Sequence, residues 1–216
     1  MPDRTAAIRF GIVLYEGVEP IDLGGTVGVL SMARRLLPNL QDAVIAREAG
    51  SVRMAGGLAV EVPYGFEDAP PCDVYVVCGG PGWPQAAADA AMLRFLQDRA
   101  PDRLASVCTG AMILAEAGCL NGRAATTRRA VAGAETAAPL EMLRSGGVDA
   151  RTAVVVDDGV VTGGGVSLAI DATLYLIGRF YGLAARNEVA ALIEYDRALR
   201  ANEDALGVHC LKSQLD

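Results

Sequence analysis

Histidine is almost missing from this sequence: among 216 residues there is one, His209, near the C-terminus. Imidazole is the usual base, proton shuttle and metal ligand near neutral pH, so this scarcity excludes more chemistry than any other feature. No metal site is expected. Cysteine pairing is missing as well. Cys72, Cys78, Cys108, Cys119 and Cys210 are an odd set without C-x-x-C spacing. That argues against a disulfide framework or a zinc knuckle and suits a reducing, cytoplasmic location. Positive charge is also short, with 19 Lys plus Arg against 26 Asp plus Glu and a formal net charge of −7. A chain this acidic repels phosphate backbones and has no basic cluster to override that, so nucleic acid is not an expected partner.

Targeting and membrane signals are absent too. The first ten residues carry Asp3, Arg4 and Arg9 and lack the apolar run of a signal peptide. The best candidate for a membrane span, residues 166–185, is interrupted by Asp171 and Arg179. No membrane partner is expected. There is no internal repeat, low-complexity linker or break in composition, so one domain over residues 1–216 is expected.

What is present is a large apolar fraction, 52%, with 21% charged residues, enough for a sizeable core. Strand-like and helix-like patterns alternate. Residues 8–14 form an apolar run suited to a buried parallel strand. Pro20-Ile21-Asp22 reads as a helix start, with Val27, Leu30, Ala33 and Leu37 following at helical spacing. Residues 42–47 suggest a strand, and 51–63, with Gly56-Gly57 inside, suggest a hairpin beside the main sheet. Residues 73–78 form a buried strand ending in Gly79-Gly80-Pro81-Gly82, and a helix is expected over 85–99. A short strand at 104–107 runs into Cys108-Thr109-Gly110 and a helix over 111–117, ended by Gly118. Further on, a helix is expected over 134–144 and a hairpin around Asp157-Asp158-Gly159. Gly163-Gly164-Gly165 is expected to open a helix running to about 182, followed by another over 184–200 and a polar tail. The expected fold is α/β: an open, largely parallel sheet with helices on both faces. Ligands in such folds sit at the carboxyl ends of strands, where strand order reverses. The loops at Gly79, Cys108 and Gly163 fall at such ends.

Cys108 stands out because strand, thiol, small residues and helix follow one another in the layout of a nucleophile elbow. A thiol at a helix N-terminus gains up to about 2 kcal/mol from the macrodipole, or about 1.5 pKa units. From ~8.5 that brings the thiol near 7, with a further donor needed for full ionisation. Alternatively, Cys108 is a small buried apolar residue, as most free cysteines are. With no His in the body of the chain, a partner must be a carboxylate. Asp22, at the exit of the first strand, is the best placed, and an ordinary N-cap is the competing explanation. Gly79 and Gly80 either permit a tight turn or present N–H groups to a developing anion. Gly164 lies in a glycine run able to approach a phosphate, but no Lys or Ser/Thr pattern completes a P-loop. Trp83 and Arg128 are candidate rim residues.

Ser106-Val107-Cys108-Thr109-Gly110, with the Leu114–Thr127 pattern of Leu, Ala, Gly and paired Thr, resembles the ThiJ/PfpI superfamily. The opening Gly11–Tyr15 strand, Asp22-Leu23-x-Gly25, Cys78-Gly79-Gly80 and Val161–Gly165 match its other landmarks over residues 8–195. The segment is most similar to isocyanide hydratases and to the sensor domains of AraC-type regulators. The resemblance implies a flavodoxin-like three-layer sandwich and a homodimer. It also implies Cys108 as nucleophile, Asp22 as the acid bonded to its sulfur, and the N–H groups of Gly80 and Thr109 around the anion site. Three departures matter: Arg128 stands where relatives often carry His, Thr109 where the protease-like branch has His, and Cys78 where proline is common. A Cys-His peptidase, an amidotransferase or a glyoxalase is correspondingly disfavoured. The expected activity is a hydro-lyase acting on a small molecule, an isocyanide hydratase without metal or organic cofactor. The alternatives are a redox or ligand sensor, and an inactive relative. An AraC-type regulator would need a helix-turn-helix region, for which no segment after residue 200 is expected to suffice.

Overall fold

The computed structural model describes residues 7–211. Its strands are β1 (Ile8–Val13), β2 (Leu40–Ile45), β3 (Gly50–Arg53), β4 (Ala59–Val62), β5 (Val74–Val77) and β6 (Leu104–Val107). They continue with β7 (Ala124–Ala125), β8 (Asp149–Ala150), β9 (Val155–Asp157), β10 (Val161–Gly163) and β11 (Val208–Cys210). The helices are α1 (Pro20–Leu23), α2 (Val29–Ala33), α3 (Trp83–Ala87), α4 (Ala90–Gln97), α5 (Gly110–Glu116), α6 (Pro139–Ser145), α7 (Ala169–Tyr181), α8 (Leu183–Leu192) and α9 (Asp196–Leu206).

Seven strands make the central sheet in the order β11-β9-β10-β6-β5-β1-β2. The stretch from β2 to β10 is parallel throughout, and β9 with β11 runs the other way. Central strands such as β5 and β6 are buried at every position, as a sheet covered on both faces requires. One core lies beneath α2, α7 and α8 around Leu30, Leu174 and Val189; the other lies beneath α4, α5 and α6 around Phe95, Ile113 and Leu143. This is the expected α/β three-layer sandwich. The chain leaves β1 toward β2, then crosses back to β5 on the other side of β1. That reversal opens the crevice where ligands bind in doubly wound sheets.

Several elements differ from the sequence expectation. The helix expected over 85–99 is two helices, because Asp89 caps α4 by accepting the Ala91 N–H at 2.9 Å. Residues 134–138 are not helical: Pro139 begins α6 and holds Ala138 extended (φ −68°, ψ 141°). The glycine run at 163–165 does not open α7, which starts at Ala169. Gly163 ends β10, and the Gly164 N–H donates to the Val154 carbonyl. The helix expected over 184–200 breaks between α8 and α9, where Glu194 is left-handed (φ 56°). The polar tail contains β11, which pairs with β9. Between α1 and α2 the chain makes a π-helical turn, Gly24–Gly28. Such wide turns occur often at functional sites.

Candidate active site

The geometry around Cys108 follows from two glycines. Cys108 leaves β6 with φ 51°, a left-handed conformation rare for a residue with a side chain. It is held there from three directions. Its N–H donates to the carbonyls of Gly163 and Gly164, at 3.2 and 3.1 Å, and its carbonyl accepts the Thr127 hydroxyl at 2.6 Å. Gly110 begins α5 so close to β5 that a Cβ there would lie 2.1 Å from the Val77 carbonyl oxygen. At Gly79 a Cβ would lie 2.5 Å from Asp22 Oδ2 and 2.8 Å from Cys108 Cβ. Only glycine lets the three loop ends meet.

Asp22 is 0% exposed and sits in the third position of α1, after Pro20 and Ile21. It is not the N-cap of that helix; Glu19 occupies that place. Instead its Oδ2 accepts the Gly79 N–H at 3.0 Å, across from β1 to β5. Its Oδ1 is buried without a hydrogen bond of ordinary geometry. The carboxyl and the Cys108 thiol are near enough to interact directly, and each changes the other's ionisation. Burial pushes Asp22 up to about 7, against the Cys108 thiol and the Gly79 N–H, which favour its charged form. Burial and then the Asp22 charge push the Cys108 thiol up to about 12, against the Thr109 N–H and Arg128. The sequence expectation of a thiol near 7 is therefore reversed. Cys108 is only 3% exposed, and desolvation of a thiolate outweighs what the first turn of α5 returns. Below about 7 the pair holds two protons, and above it, up to about 12, it holds one.

The Gly80 N–H, expected to face an anion, already donates to Thr109 Oγ1 at 2.9 Å. The Thr109 N–H is directed at the Cys108 sulfur. The Gly80 amide thus fixes the elbow and is not a vacant donor, whereas the Thr109 amide faces the sulfur. Gly164 serves the elbow through its carbonyl, which accepts the Cys108 N–H, while its own N–H donates to the Val154 carbonyl. Trp83 and Arg128, however, do line a cavity of about 640 Å³ that opens onto Cys108 and Thr109, together with Glu19, Met142 and Val166. Arg128 is paired there with Glu135 and also donates to the Ala130 carbonyl. No group of three or more metal-ligating side chains occurs among the described residues.

One neighbour escaped the sequence reading. Tyr15, which follows β1, points a buried hydroxyl without a hydrogen bond of ordinary geometry toward this region. Burial, then the charges of Cys78, Asp22 and Cys108, hold it well above its ordinary range, while Thr109 opposes them. The available signal was position: Tyr15 ends the apolar run at the switch point.

The described residues contain no helix long and apolar enough to cross a membrane. The DJ-1/PfpI family profile matches residues 9–178. The isonitrile hydratase of Pseudomonas putida is 31% identical over 192 residues, covering 88% of this chain and 79% of that enzyme. The HTH-type transcriptional regulator GbdR of Pseudomonas aeruginosa is 28% identical over 208 residues. That match covers 94% of this chain but 54% of the regulator, so the chain spans about half the regulator's length. Among solved structures, a ThiJ/PfpI family protein from Pseudomonas syringae superposes with a TM-score of 0.75 at 27% identity, covering 91% of this chain and 82% of that one. Elbow, sheet order and sequence agree: this chain belongs to the DJ-1/PfpI family.

Proposed function

We propose that the protein hydrates isocyanides to N-substituted formamides, with Cys108 as nucleophile and Asp22 as the single acid and base. The observation that carries this reading is the buried Asp22 carboxyl, pushed up to about 7 and close enough to the Cys108 thiol to interact with it directly. Similarity to isonitrile hydratase over most of both chains supports it. In the one-proton state, Asp22 takes the thiol proton as the sulfur attacks the terminal carbon of R–NC. It then gives that proton to the same carbon, leaving the thioimidate R–N=CH–S–Cys108. Asp22, a carboxylate again, removes a proton from water as the water oxygen adds to this carbon. Asp22 returns that proton to the nitrogen, giving R–NH–CH(OH)–S–Cys108. It then takes the hydroxyl proton as the carbonyl forms and the C–S bond breaks, and passes it to the sulfur, so that R–NH–CHO leaves with the thiol restored. The sum is R–NC plus H2O giving R–NH–CHO. No step accumulates a full oxyanion, which suits a site whose Gly80 N–H is already used by Thr109. A group that must act as acid and then as base works best with a pKa near the working pH.

Purified protein incubated with a panel of alkyl and aryl isocyanides is expected to release formamides, and the Cys108→Ala variant to release none. An untouched panel, or a Cys108→Ala rate equal to wild type, sinks the reading.

A further inference from the structure

We propose that Glu135, through its pairing with Arg128, sets the charge selectivity of the cavity and reserves it for uncharged electrophiles. The inference rests on the reading of Cys108 as the reactive group and deepens it by naming the substrate class.

Arg128 stands on the cavity wall with its side chain only 12% exposed, and its guanidinium meets Glu135 Oε1. Alone, a cation so poorly hydrated would attract any carboxylate or phosphate entering the space. Glu135 prevents this. Its carboxylate is fixed in place, since Oε2 accepts the Ala132 N–H at 2.8 Å and the Glu135 N–H donates back to the Ala132 carbonyl at 3.2 Å. The remaining charge on the wall is Glu19, and Asp22 lies beneath. With Arg128 cancelled by Glu135, an arriving anion meets only Glu19 and the titrating Asp22. The rest of the wall includes Trp83, Pro84, Met142 and Val166, which accept apolar surface. The complementary substrate is a neutral molecule with an apolar substituent.

Two nearly isosteric thiol reagents read this selectivity without depending on hydration. Iodoacetamide is neutral and iodoacetate is anionic; each forms an S–C bond at Cys108 and expels iodide. The ratio of their rates at Cys108, followed by peptide mass spectrometry, is compared in wild type, Glu135→Gln and Arg128→Gln. Gln removes the charge and keeps one of the two acceptor oxygens, so it can hold either Arg128 or the Ala132 N–H. Glu135→Gln is expected to shift the ratio toward iodoacetate by about tenfold, the scale of one uncompensated charge whose field is largely screened by the water in the open cavity. Arg128→Gln is expected to shift it the other way. A ratio unchanged in Glu135→Gln, or shifted toward iodoacetamide, overturns the proposal. Failure of both reagents at wild-type Cys108, while exposed thiols react, overturns the reading of Cys108 beneath it.

Discussion

At the scale of single residues, the site turns on where one proton resides. Asp22 pushed up to about 7 holds a proton in the folded chain that an ordinary aspartate, near 3.8, would have released. The sign follows from linkage: this contribution to stability is complete below about 4 and is lost as pH rises through about 7. Asp22→Asn removes the buried charge, so we predict a variant more stable than wild type at pH 8, by roughly 2 kcal/mol, with the difference gone near pH 4. Thermal unfolding at the two pH values measures this. The same variant should lose hydration by at least about a hundredfold, the usual share of a positioned acid and base. A gain in stability with a loss in rate is the pattern expected of a residue held against its own preference. Tyr15→Phe asks a different question. Its hydroxyl has no good partner to lose, so unfolding should shift by less than about 1 kcal/mol. A similar fall in stability and rate together would show the hydroxyl to be an ordinary structural contact.

At the scale of elements, the elbow depends on backbone approach. Gly110→Ala would place a methyl 2.1 Å from the Val77 carbonyl oxygen, with no flexible side chain there to yield. We predict a loss of about 3 kcal/mol in chemical denaturation, as for severe overpacking, and slower alkylation of Cys108 in the folded fraction. Much of this element was legible in the sequence. A short, mostly apolar strand, a thiol and Thr-Gly before a helix carry their own local signals. Asp22 was legible as a candidate, but its contact with the Gly79 N–H is set by β1 and β5 lying side by side, which no local pattern encodes. The use of the Gly80 N–H by Thr109 was hidden for the same reason. So was β11, whose Val-His-Cys run has no periodicity and forms only because β9 offers an edge. Helix breaks at Asp89 and Glu194 were missed because capping and left-handed turns override a continuous apolar rhythm.

At the scale of the molecule, buried charges away from the site hold the layers together. Asp171 in α7 is 1% exposed, accepts the Tyr195 hydroxyl at 2.8 Å and two contacts from Asn202 at 3.2 Å, and so ties α9 to the core. Asp171→Ala removes the acceptor of the Tyr195 hydroxyl and leaves Asn202 only its 3.1 Å hydrogen bond to that hydroxyl, and we predict a loss of about 2 kcal/mol with the alkylation rate of Cys108 in the folded protein unchanged. A slower Cys108 would mean that this layer reaches the site. We also propose a homodimer, and light scattering should give twice the chain mass. All of these terms leave the chemistry to one pair, Cys108 and Asp22. The most direct test is the rate of formamide production from a neutral alkyl isocyanide between about pH 5 and about pH 9, in wild type and Cys108→Ala. The rate is expected to rise with pH to a plateau, with its midpoint near the Asp22 value of about 7, and to vanish without the thiol. A flat profile in wild type, or a Cys108→Ala variant that retains the rate, would contradict it.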